Sequence, residues 1–108
     1  MTVTVDRMEL ALKYLAETDD ECARLRSEWA RNEWFAKSVK DTIFTSLDGS
    51  VADRQARANV SETHKSAQEE AFESFYKYEA MKNKRQTESI VIDTWRSLNA
   101  ARNKGQIL

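Results

Sequence analysis

Five side chains near the C-terminal end are of types that could act together on a ligand: Arg85, Trp95, Arg96, Asn99 and Arg102. On a helix, Arg85, Ile92, Arg96 and Asn99 fall within about 60° of one another, with Glu88, Trp95 and Arg102 beside them. A stripe of guanidinium, indole and amide can stack on unpaired bases and contact phosphates, as single-strand binders do. The same stripe could form a protein-binding face. A third reading is structural: Arg85 and its neighbouring lysines pair with an acidic stretch, and Trp95 packs under Leu12 and Leu15. Other bases on this helix scatter round the wheel, which weakens the case for an electrostatic stripe.

Other reactive residue types stand alone. His64 is the single histidine, near the start of the last long helical pattern, and reads as exposed. It has no Cys or His partner at ligand spacing, so a metal site is not expected. Cys22 lies on an apolar seam and reads as a small core residue. Glu69, Glu70 and Glu73 cluster as carboxylates do on a solvated helical face. There is no phosphate-binding glycine loop, no dinucleotide fingerprint and no Glu-x-x-His pair. No catalytic residue, cofactor or metal is expected, and the chain reads as non-enzymatic.

The elements that must position the stripe follow from composition. The 108 residues are expected to form a single helical domain, 1–108. Proline is absent and only Gly49 and Gly105 are glycine, so little interrupts a helix. The charged and hydrophobic fractions, 32% and 41%, exclude a disordered chain and suit helices with large solvated faces. Net charge is −1, so the bulk field does not select a polyanion. Locally, residues 77–104 carry seven bases against three acids, a balance of +4. No run of eighteen apolar residues exists, so no membrane span is expected. MTVTVDRMEL lacks a basic stretch followed by an apolar one, and a lone cysteine forms no internal disulfide; the cytoplasm is the expected compartment.

Asp6 with Glu9 predicts a helix start, and Met8, Ala11, Leu12 and Leu15 continue it to about residue 17. Thr18-Asp-Asp-Glu21 has the pattern of a capping box, marking a new start or a kink, although one continuous helix is also compatible. Cys22, Leu25, Trp29, Ala36, Val39 and Ile43 then recur at three–four spacing, with Asn32 as a polar exception. That helix is expected to end near Ser46, before a turn at Gly49. Ser50 with Asp53 predicts a short helical piece to about Asn59. Ser61 caps a second long helix with Ala67, Ala71, Phe72, Phe75, Tyr78 and Met81 on its apolar side, ending at Gly105 as C′ with Ile107 in contact. The fold class is therefore all-α: a long antiparallel helical hairpin, about 19–46 and 61–104, with a short N-terminal helix. The second arm would be about 65 Å long. Folding back sets acidic Glu17, Asp19, Asp20 and Glu21 against Lys82, Lys84 and Arg85.

Two arms bury one narrow stripe each, and the apolar pattern is wider. Trp34 and Phe35 are adjacent and point about 100° apart, Ile90–Ile92 spread over about 200°, and Phe72, Phe75, Tyr76 and Tyr78 cover a broad arc. Left in water these would exceed the patch a monomer usually carries. A homodimer with a coiled-coil or four-helix-type core is expected.

ALKYLAETDDECARL (11–25), GSVADRQARA (49–58) and KNKRQTESIVIDTWRSLNAARNKG (82–105) resemble a family of small uncharacterised helical-hairpin proteins of tailed bacteriophages. NKR…TE and WRSLNAxR are the most specific parts, and the resemblance covers nearly the whole chain in order. It implies a phage accessory protein in the bacterial host cytoplasm, encoded near recombination or single-strand-annealing functions. The expected function is an oligomeric helical module binding a protein or single-stranded DNA partner in phage recombination or replication. The rival expectation is a structural or adaptor coiled coil, or an inhibitor of a host defence protein, with no nucleic-acid contact.

Overall fold

The computed structural model describes residues 2–107, and side chains from 2 to 105. It contains three helices and, among the described residues, no strand: α1 (Val5–Ser46), α2 (Val51–Asn59) and α3 (Glu62–Ile107). The packing divides into two compact units. The first joins Met1–Cys22 with Ala80–Leu108, and the second is Ala23–Glu79.

α1 is one helix, so the short N-terminal helix expected over 6–17 is its first stretch. Its cap is Thr4 and not Asp6. Thr4 Oγ1 accepts from the Arg7 backbone N–H at 3.1 Å, and Thr4 O accepts from the Met8 N–H at 3.0 Å. Thr18 starts nothing because its hydroxyl is committed inside the helix, donating to Tyr14 O at 2.7 Å. α1 ends where expected, and Gly49 takes φ 117°, a conformation that side-chain-bearing residues rarely adopt. Ser50 then caps α2, its Oγ accepting from the Asp53 N–H at 3.1 Å. Ser61 caps α3 in the same way, accepting from the His64 N–H at 3.2 Å. Gly105 does not stop α3: the helix continues through Ile107, because nothing at 105 forces a left-handed turn. The expected Ile107 contact lies outside the described side chains.

In the first unit, successive α1 positions meet descending α3 positions. Arg7 pairs with Glu88, and Arg85 reaches Leu15, Thr18 and Asp19. Lys84 Nζ lies 4.7 Å from the Tyr14 ring centre, a cation–π contact. The acidic stretch of α1 thus faces the basic stretch of α3, as the charge pattern predicts. Ala11 and Ile92 are buried here, as is Val3 ahead of the helix. Leu12 is not: one position off the seam, it is exposed.

The second unit is also antiparallel. The Trp29 ring lies 4.9 Å from Phe75 and stacks on Tyr78 at 5.8 Å. Asn32 Nδ2 donates to Ser74 Oγ at 2.6 Å, and Ser74 Oγ donates to Glu70 O at 3.0 Å. Asn32, the exception in the apolar pattern of α1, therefore meets a buried hydroxyl across the pair. His64 is buried and not exposed: its Nδ1–H donates to Ala36 O at 3.2 Å. α2 closes over the end of α1 through buried Ala58, with the Arg54 guanidinium 4.6 Å above the Phe44 ring.

Across both units the buried hydrophobic side chains are mostly small: Ala11, Ala36, Ala58, Ala67 and Ala71, with Val3, Leu25 and Ile92. Small residues let two helix backbones approach closely, but they remove little apolar area from water. Among the described residues, no large side chain is fully buried.

Candidate interaction surfaces

The five residues of the C-terminal stripe do not share one environment. Arg85 turns into the helix pair of the first unit. Its Nη1 donates to Leu15 O at 2.9 Å and to Thr18 Oγ1 at 2.6 Å, and its Nη2 to Asp19 Oδ1. Three acceptors from one turn of α1 occupy the guanidinium, so the structural reading of Arg85 is the one the geometry carries. Trp95 and Asn99 are half-buried. Arg96 and Arg102 are exposed, and Arg96 Nη1 stands 3.9 Å from Asp93 Oδ1 on the same helix. A pair this exposed contributes little to stability. Residues 94–105 contain no acid, so Arg96, Arg102 and Lys104 form a small basic end to α3.

Arg7 and Glu88 form a second polar layer, which the sequence pattern did not single out. Arg7 Nη2 donates to Glu88 Oε1 at 2.9 Å, and Nη1 lies 2.7 Å from Oε2 as an ion pair, although Oε2 itself accepts no hydrogen bond. The Glu88 side chain is 13% exposed. The hydrogen bond from Arg7 holds the Glu88 carboxyl below its ordinary value, against an opposing effect of desolvation. Glu88 in turn raises the Arg7 guanidinium.

The most exposed aromatic side chains lie in the second unit. Trp34 is 69% exposed, Phe72 58%, Phe75 40% and Tyr76 70%. Phe72, Phe75 and Tyr76 are neighbours on α3 by three- and four-residue spacing. Phe75 joins them to Trp29 across the helix pair. Next to Trp29, α1 carries a shallow recess of about 370 Å³ lined by Trp29, Ala30, Glu33, Trp34 and Lys37. No hydrogen bond or ion pair among the described residues engages Glu33 or Lys37. Phe72 was expected on the inner side of α3, but it lies one position beyond the buried Ala71 and faces outward. Phe35 is likewise exposed on α1. In the first unit, Leu10, Leu12 and Ile90 are exposed.

A smaller cavity of about 140 Å³ lies beside α2, lined by Lys40, Asp41, Phe44, Gln55 and Ala58. It has room for a few waters. Among the described residues, no group of three or more His, Cys, Asp or Glu side chains is placed to hold a metal ion. No described helix is long and apolar enough to cross a membrane.

The aromatic surface was legible in sequence as adjacent Trp34–Phe35 and Phe75–Tyr76 pairs, which no single seam can bury. The recess was not, because its shape depends on how the Trp29 ring settles against Phe75 and Tyr78. No protein-family model, curated protein or solved structure matches the chain.

Proposed function

We propose that the chain is a non-enzymatic helical interaction module that self-associates, most simply as a dimer with a four-helix-type core, and presents the assembled surface to a protein partner. One observation carries this reading: the helix pairs are held together by alanines and polar layers, while Trp34, Phe72 and Tyr76 are left outside. Aromatic rings supply most of the binding energy at protein interfaces, and a chain that spends them on its surface gains stability only when they are covered. The sheltered titratable groups hold helices together: Glu88 is engaged by Arg7, Arg85 by α1, and His64 by a backbone carbonyl. The role proposed on the phage resemblance is that of an accessory or adaptor in recombination or replication in a bacterial cytoplasm, or of an inhibitor of a host protein.

A second reading, single-stranded DNA binding, rests on the acid-free end of α3 with Arg96 and Arg102 exposed beside Trp95 and Asn99. Arg85 is not available to it, being committed to α1.

Sedimentation velocity over a wide concentration range tests the first reading. The expected mass is a multiple of the 12.5 kDa chain, and a single-chain mass at all concentrations overturns it. Titration of labelled single-stranded DNA at two salt concentrations tests the second. Salt-sensitive binding lost in Arg96→Ala and Arg102→Ala supports DNA contact, and no binding at low salt excludes it.

A further inference from the structure

Resting on the self-association reading, we infer that the recess of the second unit seats a second copy of the chain. The two Trp34 rings meet near a two-fold axis, and Glu33 and Lys37 pair with the partner's Lys37 and the partner's Glu33.

Three observations commit this surface to a copy of the chain. The first is area. Taking about 200 Å² per aromatic ring, Trp34, 69% exposed, leaves roughly 140 Å² in water at the wall of the recess. A standard interface covers about 800 Å² on each side, so Trp34 and the recess beside it supply the centre of one and the flanking surface of α1 its rim.

The second is self-complementarity. A two-fold interface brings one patch against itself, so the patch must be its own complement. The recess places an acid and a base one helical turn apart beside an aromatic floor, Glu33 and Lys37 beside Trp29 and Trp34. Neither charge has a partner among the described residues. An acid and a base spaced this way satisfy each other reciprocally across an axis passing between them. A polyanion would meet the Glu33 carboxylate, and a strongly acidic or basic protein would meet one repelling charge.

The third is net charge. At −1, two copies approach without appreciable repulsion.

The test is charge exchange, read by sedimentation velocity at low salt with helicity followed in parallel by circular dichroism. Glu33→Lys and Lys37→Glu each set like charges against each other twice in a homodimer, and each is expected to weaken self-association about tenfold. The double variant Glu33→Lys/Lys37→Glu restores opposite charges and is expected to recover the parent affinity. An equimolar mixture of the two single variants is expected to form mixed dimers tighter than either homodimer. Trp34→Ala, removing the central ring, is expected to weaken self-association by about thirtyfold or more.

Recovery in the double variant and in the mixture establishes the surface, and it cannot arise from misfolding because both sites are exposed. If Trp34→Ala loses helicity, the exchange pair decides the matter alone. If the parent chain self-associates and every variant does so equally, this surface is wrong while self-association stands. If the parent chain is a monomer, both fall.

Discussion

At the scale of single residues, Arg7, Glu88 and Arg85 show how ionic groups are used in a chain with so little buried apolar area. The Glu88 carboxyl has a depressed value in the folded state, so the unfolded chain binds more protons as the medium becomes acid. The contribution of Glu88 to stability is therefore complete above the ordinary value near 4.5 and is lost as pH falls through the depressed one. Chemical denaturation between pH 3 and 6 is expected to show Glu88→Gln with a shallower loss of stability on the acid side than the parent chain; matching slopes would contradict the pairing. Near neutrality Glu88→Gln is expected to cost about 1 kcal/mol, because the half-exposed Arg7 can turn to water once the ion pair is weakened. Arg85 is less replaceable, with three acceptors on α1 and a side chain 22% exposed. Arg85→Ala is expected to cost about 2 kcal/mol in urea unfolding, and Arg85→Lys to recover less than half of that, since an ammonium cannot reach three acceptors in a fixed fork.

At the scale of elements, the pieces written in local chemistry were legible and those decided between helices were not. Ser50 and Ser61 announce their helices because a hydroxyl three residues before a backbone N–H needs no tertiary help. Gly49 announces its turn for the same kind of reason. Gly49→Ala is expected to cost about 1–2 kcal/mol, since a Cβ there meets Asp53 Oδ2 at 3.1 Å on a backbone at φ 117°. Ser50→Ala is expected to cost about 1 kcal/mol by loss of the α2 cap, and thermal unfolding of the two variants measures both. Thr18 misleads for a physical reason. The same hydroxyl can cap a new helix or bond back into an existing one, and the choice is made by Arg85, 67 residues away, which donates to it. The N-terminal cap misleads similarly, because Asp6–Glu9 and Thr4 compete and only the chain path decides. Gly105 looks like a stop, but glycine permits a left-handed turn without requiring one. In the candidate site, the acidic–basic facing of the first unit and the width of the aromatic pattern were legible. The burial of His64 and the Asn32–Ser74 bond were not, since each depends on which turn of one helix stands opposite which turn of the other.

At the scale of the whole molecule, the exposed rings set how stability depends on concentration. If the chain associates through them, folding and assembly are linked, and the melting temperature is expected to rise with protein concentration by several degrees over a hundredfold range. A melting temperature independent of concentration would mean that the rings stay wet. Salt is expected to weaken assembly of the parent chain only modestly, because two Glu33–Lys37 pairs are screened while the aromatic contacts are not. The alanine seam carries a further implication, for tolerance to change. Ala11 and Ala36 are buried where two helices meet, so enlarging them would drive helices apart, while polar replacements at Trp34 or Tyr76 would leave the isolated chain almost untouched. A survey of every substitution, scored once for folding and once for assembly, would read inside out. The smallest side chains would be the most constrained for the first, the largest for the second, and hardly a position would score high on both.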